Sequence, residues 1–349
     1  MSFARREYEL QFEPLSLAWM GDQLVDPLQY TGSDLREIPS RLSSNRISRL
    51  FDAGMVSASG VSCAFQQLGT KAVVMRRTYS PGLTATDAGV GCELERSYYY
   101  AEVTPFPIAF ISWESHNDAI IFAPEYDRLR IVDLTGKVIV ADSEPSEDFF
   151  HGRLEVSPSG RWLLSDGWMW HPMQARMLID LDRVRKDPSS LNSSEILNAP
   201  SFPLFATWLS DDTLAMTPFC LPEWNQDAFN YDSFEPWTTI SNSQSVANKL
   251  FIVDPESSQI LRGVQLEFDP FYIACWGSDS IISPSPFPRI ADLTTGQILA
   301  EFPDLQVAGF EESRFPCNIP TTTPFACHRT RPVFAHATGN KLTVIEEEA

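Results

Sequence analysis

The feature that most constrains the fold is an apolar–turn–apolar motif that recurs along the chain. Its clearest copies are Val-Ser-Ala-Ser-Gly at 56–60 and Val-Ser-Pro-Ser-Gly at 156–160, followed by apolar segments at 61–65 and 161–164. Small polar residues and glycine favour tight turns between antiparallel strands, so the motif predicts a β-hairpin. The same outline recurs at 17–25, 109–121, 205–215, 273–282 and, more weakly, 325–334.

A second strand signature follows most of these hairpins. Segments 129–139 and 289–299 alternate apolar and polar residues, turn at Thr-Gly and resume, and 250–261 and 177–181 are variants. Short strands with turn signals every ~8–12 residues indicate an all-β sandwich, barrel or propeller. Four strands in every ~40–50 residues select the propeller. We therefore predict an all-β, seven-bladed β-propeller with four-stranded antiparallel blades.

These motifs resemble those of the WD40-like β-propeller superfamily. Segment 156–160 is similar to the family's turn between the first two strands of a blade, and 131–136 and 290–296 are similar to its third strand and exit turn. The Trp-Asp and Gly-His pairs typical of the family are absent, which indicates a divergent member. Segments 96–100 and 148–153 also look like those of uncharacterised bacterial propellers.

The end of the chain suggests how such a propeller closes. Strands are predicted at 332–337 and 341–346, after which no segment remains for a fourth strand in the last blade. Residues 8–12 alternate ahead of the first hairpin and are predicted to supply that strand. Ring closure would remove exposed sheet edges. We expect residues 1–349 to form one domain, with an insertion at 219–248 in blade five.

The charge of the chain restricts its partners. The formal net charge of −20 argues against nucleic acids and anionic membranes, and it makes a basic protein partner plausible, with solubility as the alternative explanation. No apolar run approaches the ~20 residues of a membrane span. The basic N-terminus is not followed by an apolar stretch, so no secretory signal is predicted. We expect a cytoplasmic protein.

The chain has few residues suited to metal or covalent chemistry. Its six cysteines are scattered without a Cys-x-x-Cys pair, and its five histidines do not have metal-ligand spacing. A partial zinc site around Cys317, Cys327 and His328 would lack a fourth ligand. No nucleophile elbow is present, and the hairpin serines are explained by turn geometry. The sequence therefore predicts no catalytic residue, no metal site and no cofactor.

The strongest candidate for partner binding is the insertion at 219–248. Loops this long in compact domains are usually functional or disordered, and aromatic residues argue against disorder. A recognition surface, a structural lid over the propeller and a disordered segment remain the alternatives. The candidate partner-binding residues are aromatic and acidic: Glu223, Trp224, Asp227, Phe229, Tyr231, Asp232, Phe234 and Trp237.

A second candidate site is the central channel. His151 and Arg153 alternate with Gly152, so both side chains are predicted to point toward the channel, where Arg153 could hold an anionic ligand. The alternative is that Arg153 pairs with a channel carboxylate. Arg96 and Tyr98, in the 96–100 segment, complete the candidate channel residues. The Trp-Met-Trp-His run at 168–171 favours packing in the core or between blades over a binding surface for a ligand.

Two functions from different classes follow. The leading prediction is a non-catalytic interaction module or scaffold that binds a protein partner, basic if charge guides it, through its loop face. The alternative is a propeller that binds a small ligand, or hydrolyses one, in its central channel. Fold resemblance alone does not separate these functions.

Overall fold

The computed structural model describes most of the chain. The described residues are 2–14, 16–20, 22–26, 53–56, 62–66, 70–76, 89–99, 101, 106–114, 117–142, 144, 148–169, 173–192, 203–218, 248–270, 272–307 and 323–348.

These residues form twenty-five strands and one short α-helix. The strands of the first half are β1 (Phe3–Glu9), β2 (Ala18–Met20), β3 (Gln23–Val25), β4 (Ala53–Val56), β5 (Ser62–Gln66), β6 (Lys71–Arg76), β7 (Gly89–Glu95), β8 (Ile108–Trp113), β9 (Asn117–Glu125), β10 (Arg128–Asp133), β11 (Val138–Val140), β12 (Phe149–Val156), β13 (Trp162–Met169) and β14 (Met173–Asp180). After α1 (Leu181–Lys186) and a 3₁₀ helix (Pro188–Asn192) come β15 (Pro203–Ser210), β16 (Thr213–Pro218), β17 (Lys249–Asp254), β18 (Gln259–Gln265), β19 (Ala274–Trp276), β20 (Ser280–Ser283), β21 (Arg289–Asp292), β22 (Ile298–Glu301), β23 (Phe325–Cys327), β24 (Val333–Thr338) and β25 (Lys341–Glu347).

The strands form seven antiparallel sheets that follow one another along the chain, which is the organisation of a β-propeller. Each sheet begins with one of the seven predicted hairpins, from β2–β3 in blade one to β23–β24 in blade seven. Blades two, three, five, six and seven have four strands in the described part of the chain. The prediction of an all-β propeller with seven blades is confirmed.

The N-terminal strand pairs with the end of the chain, as predicted, but at an earlier position. β1 runs from Phe3 to Glu9 and pairs antiparallel with β25, so that Phe3 lies opposite Glu347 and Glu9 opposite Lys341. The expected strand at 8–12 overlaps it by two residues. Beyond β1, the Leu10 amide donates to the carbonyl of Asn340 at 2.8 Å, which continues the contact by one residue.

Blade four shows three strands in the described part of the chain. Its described strands are β12, β13 and β14, and β14 leads directly into α1. The Asp180 carboxylate starts that helix because it accepts hydrogen bonds from the amides of Asp182 and Arg183 at 2.9 and 3.2 Å. The Asn192 side chain then bonds both the amide and the carbonyl of Leu129, at 2.7 and 3.0 Å, and so fixes the segment to blade three.

The hydrophobic core is divided among the interfaces between neighbouring blades. Six buried clusters lie between blades two and three, three and four, four and five, five and six, six and seven, and seven and one. Blade five shows the period-two alternation that produces this arrangement. Leu250 and Ile252 of β17 pack toward blade six, whereas Phe251 and Val253 pack toward blade four.

Neighbouring innermost strands run side by side in the same direction. Arg153 of β12 donates to the carbonyl of Ala206 in β15 at 2.6 Å, and Trp208 of β15 donates to the carbonyl of Glu155 in β12 at 3.1 Å. We define the loop face as the end of the sheets that carries the β9–β10 and β13–β14 connections. The paired strands β16 and β17 flank the insertion, and they end and begin at this same face.

One turn between blades five and six requires glycine. Gly296 has a φ of +77°, in the left-handed region. A Cβ atom at this position would lie 1.7 Å from the carbonyl oxygen of Gln265, a backbone atom that cannot rotate away. The Thr-Thr-Gly turn therefore brings the β21–β22 hairpin against the end of β18.

We expect Gly296→Ala to destabilise the protein much more than Gly277→Ala. Both glycines have positive φ, so each alanine costs about 1–2 kcal/mol of backbone strain. Only Gly296 adds a steric overlap, since nothing lies within 4 Å of a Cβ at Gly277. Urea unfolding of the two variants measures the difference, and equal losses of unfolding free energy would contradict the close approach.

Candidate functional site

An aromatic pocket lies on the loop face between blades three and four. Its lining comes from three separate stretches of chain: the connection from blade two to blade three, the β9–β10 turn, and the adjoining ends of β12 and β13. It holds about 290 Å³ when its open mouth is included. The lining residues are Arg96, Ser97, Tyr99, Pro107, Ala123, Glu125, Tyr126, Phe150, His151 and Trp168. We call this the interblade pocket.

One wall of the interblade pocket is a column of stacked rings. Phe150 stacks on Trp168 with ring centroids 3.8 Å apart and planes inclined by 16°, and Tyr126 stacks on the same phenylalanine at 4.5 Å and 19°. Tyr99 leans on the column, 5.2 Å from Tyr126 and 5.5 Å from Phe150. Phe150 and Trp168 are buried, whereas Tyr99 is 40% exposed. The column is therefore anchored in the core and reaches the surface through its tyrosines.

Main-chain hydrogen bonds hold the column in place. The Ser97 amide donates to the carbonyl of Pro124 at 2.7 Å, and the His151 amide donates to the carbonyl of Tyr126 at 2.8 Å. Both bonds join the β9–β10 turn to a neighbouring segment. In β13, Gly167 admits the close approach of β12, since a Cβ there would meet the Phe150 carbonyl at 2.1 Å.

Arg96 packs on the core side of the turn that carries Tyr98 and Tyr99. Its guanidinium donates to the carbonyl of Ala101 at 2.9 Å and lies 5.4 Å from the ring centroid of the buried Phe106. Burial lowers the pKa of Arg96 to about 10, so the side chain still carries its charge at neutral pH. Tyr98 occupies the tip of the same turn and is 72% exposed.

His151 is a neutral structural residue at neutral pH. Its side chain is buried, and Nδ1 lies 2.9 Å from Oγ of Ser165 in the neighbouring strand. Burial lowers the pKa of His151 to about 3. Its ring also meets Phe149 edge to face at 5.1 Å. His151 therefore joins blade four to the pocket and does not supply a positive charge to it.

The mouth of the pocket is predominantly acidic. Glu125 is exposed at the end of β9, and the Asp127 charge, together with burial and Asp148, raises the pKa of Tyr126. Arg96 in the lining and Arg128 beside the mouth are the nearby cations, and Arg128 bonds both carboxylate oxygens of Glu144, at 3.1 and 3.2 Å. A basic group at the mouth would therefore meet negative potential beside aromatic rings.

Arg153 lies apart from this pocket, between blades four and five. Strict alternation around Gly152 places it on the same side of β12 as His151, but the pairing of β12 with β13 shifts register between His151 and Leu154. Arg153 bonds Asp166 through Nε at 3.1 Å and Nη2 at 3.0 Å, and it lies 3.1 Å from Glu155. His151 and Arg153 therefore do not converge on one ligand.

The Arg153 ion pairs belong to a larger charge network near the channel. Asp166 is buried and also forms an ion pair with the buried Arg176, which lies directly opposite it in β14. Burial alone would lower the pKa of Arg153, but the Asp166 and Glu155 charges outweigh it and raise that pKa. Two guanidinium groups thus face two carboxylates, so the charge that an anionic ligand would need is already offset.

Thiols near the channel are protonated at neutral pH. Burial, with a smaller contribution from Glu155, raises the pKa of Cys275 to about 11, and burial raises the pKa of Cys327 above its ordinary range. Among the described residues, no group of three or more His, Cys, Asp or Glu side chains is positioned to share a metal ion. In the same part of the chain, no helix is long and apolar enough to cross a membrane.

The candidate residues of the insertion lie outside the described residues, so the structure does not place Trp224, Trp237 or their neighbours. The interblade column was not predicted as a site. Its rings come from segments far apart in sequence. From the sequence, Trp168 was expected to pack in the core, and the structure shows it buried. The signal that could have found the column is the coincidence of aromatic residues at predicted loop-face turns: Tyr98 and Tyr99, Tyr126, Phe150 and Trp168.

No protein-family model matches the chain, and no curated protein matches it in sequence. Among solved structures, it is similar to the crystal structure of BamB from Moraxella catarrhalis, with 10% sequence identity and a TM-score of 0.48. The match covers 100% of this chain and 98% of that chain. The propeller assignment follows from the order and pairing of the seven sheets.

We expect Asp166→Asn to lower the free energy of unfolding by about 3–5 kcal/mol, because it leaves two arginines without their shared buried charge. Glu301→Gln is the matched control. It removes one carboxylate from a single ion pair with Arg289, in which Glu301 is 44% exposed, so we expect a loss of no more than about 1 kcal/mol. Chemical denaturation at neutral pH compares them, and similar losses would refute a structural role for the network.

We expect His151 to make stability depend on pH. Its pKa is about 3 in the folded protein, against 6.5 as the ordinary value, so between these values the unfolded chain binds the extra proton. The contribution of neutral His151 to the free energy of unfolding is fully present above pH 6.5. Between pH 6.5 and about pH 3 it falls by about 1.4 kcal/mol per pH unit of acidification. His151→Gln should remove this contribution. Unfolding curves of both proteins at pH 7 and pH 5 test it, and parallel pH dependences would contradict it.

Proposed function

We propose that the protein is a non-catalytic interaction module that binds a basic protein partner through its loop face. The observation that carries the proposal is the interblade pocket: anchored aromatic rings that reach the surface beside an acidic mouth. Aromatic residues backed by a buried core are the usual energetic centres of protein interfaces. Acidic neighbours add attraction for a basic partner and speed its association.

The position of the insertion supports the same face. Its flanking strands β16 and β17 end and begin at the end of the propeller where Tyr99 and Tyr126 lie. The aromatic and acidic residues at 223–237 would extend a surface with the composition of the interblade pocket. We propose that the insertion and the pocket contact the same partner.

The channel alternative has weaker support. Arg153, its central residue, is engaged by Asp166, Glu155 and the Ala206 carbonyl. His151 faces another interface and is neutral. A ligand that used Arg153 would have to displace buried ion pairs, whereas Tyr99 and Tyr126 stand at the surface.

We also propose a cytoplasmic location. Cys92, Cys275 and Cys327 carry free thiols, which suits a reducing compartment. The acidic charge of the whole chain favours basic proteins over nucleic acids or anionic membranes as partners.

The test is affinity capture from the native host, with the captured protein identified by mass spectrometry and the complex rebuilt from purified components. Two variants probe the face: deletion of 222–245 and the double change Tyr98→Ser with Tyr99→Ser. We expect each to weaken the rebuilt complex by about tenfold or more, the size of a lost aromatic anchor. Leu261→Ser is the control, because Leu261 is 59% exposed on β18, outside the pocket.

All variants are first shown by circular dichroism and thermal unfolding to retain the fold. Weakening by the loop-face changes but not by Leu261→Ser supports the proposal. A complex that tolerates both loop-face changes, or no specific capture by the intact protein, overturns it.

A further inference from the structure

We propose that the interblade pocket receives the guanidinium group of an arginine side chain presented by the protein partner. This inference rests on the proposed function and specifies its chemistry. The pocket is open at its mouth, so the end of one long side chain can reach its tyrosine rings and the exposed Glu125 from solvent.

The rings supply the first part of the recognition. Tyr126 ends the stacked column, with Phe150 against one of its faces at 4.5 Å, and Tyr99 lies beside it at 5.2 Å. A planar guanidinium stacks on such rings through cation–π attraction, which a compact ammonium group uses less well. Because the column is packed against the core through Trp168, the rings are already ordered before the partner arrives.

The charges supply the second part. Glu125 stands exposed in the pocket lining, and Asp127 and Asp148 act on Tyr126 from the adjoining turn and strand. Arg96 is the resident cation of the lining, but its guanidinium lies over Phe106 and bonds Ala101. Arg128 bonds Glu144 and lies 3.5 Å from Asp127. Acidic groups outnumber basic ones at the mouth, which complements an arginine.

The chain itself contains the same type of contact elsewhere. Arg289 lies over the Phe287 ring at 4.2 Å and pairs with Glu301 at 3.2 Å. Arg161 lies over Trp162 at 4.6 Å and pairs with Asp180 at 3.4 Å. In both, one guanidinium uses a ring and a carboxylate together. Tyr126 and Glu125 offer that pair of partners to an incoming side chain.

The experiment measures binding of a fluorescent acetylated triarginine amide by anisotropy, at low and at physiological salt. Its counterpart with citrulline, a neutral side chain of nearly the same shape, controls for the charge. We expect triarginine to bind about tenfold or more tightly than tricitrulline, and Tyr126→Leu to weaken triarginine about fivefold. Tyr126→Phe keeps the ring and should bind as the natural protein does.

Matched variants separate the pocket from the general acidity of the chain. Glu125→Gln and Glu301→Gln remove the same charge, but only the first lies in the pocket, so we expect a loss of affinity for Glu125→Gln alone. Tyr8→Leu, on β1, controls for loss of a tyrosine elsewhere. Equal effects of the two glutamine variants, or no effect of Tyr126→Leu in a folded protein, would overturn the inference.

The same variants distinguish this inference from the proposed function. A captured partner that is lost with the Tyr98 and Tyr99 changes but retained by Tyr126→Leu would leave the interaction module standing and reject the arginine site. Loss of the partner with Tyr126→Leu and Glu125→Gln, but not with Glu301→Gln, would support both.

Discussion

The structure depends on the burial of small sheets against their neighbours, which in blades three to seven covers both faces of the sheet. A sheet of four short strands has too little interior to be stable alone, so both of its faces must be apolar. Blade five meets this requirement with alternate residues of β17, Leu250 and Ile252 toward one neighbour and Phe251 and Val253 toward the other. Strand positions are therefore constrained by packing, whereas the connections at the sheet ends are free to vary and to acquire binding residues.

The charge network beside the channel shows a different solution to the same packing problem. Where blades four and five meet, Arg153 bonds Asp166, Glu155 and the Ala206 carbonyl, and Arg176 forms an ion pair with Asp166 from the opposite strand. Buried ion pairs contribute little net stability, because removing charges from water costs about as much as their attraction returns. These ion pairs all lie within blade four. The network reaches blade five through hydrogen bonds, from Arg153 to the Ala206 carbonyl and from Thr207 and Trp208 to Glu155.

Local patterns predicted most of the fold. Six of the seven hairpins were identified because a turn containing Ser, Gly or Asp between apolar segments is encoded within about ten residues. The seventh, at 325–334, has no such residue in its turn and was the weakest copy. The position of β1 was wrong by several residues, since its register depends on pairing with β25 at the other end of the chain. The helix α1 after β14 was not predicted either; the Asp180 side chain caps it by accepting from the amides of Asp182 and Arg183. Predicting the interblade pocket would have required the relative positions of three segments that are far apart in sequence.

The interblade pocket and the site around Arg153 differ in how far their side chains are already engaged by other groups. Arg153 is surrounded by two carboxylates and the Ala206 carbonyl, so a ligand there would have to exchange established bonds for new ones. Tyr99 and Tyr126 sit instead at the end of a column whose inner rings, Phe150 and Trp168, already form part of the core. Ordering costs that usually oppose association are paid during folding. A partner that bound here, as we propose, would gain ring contact and charge complementarity from groups that folding has already ordered.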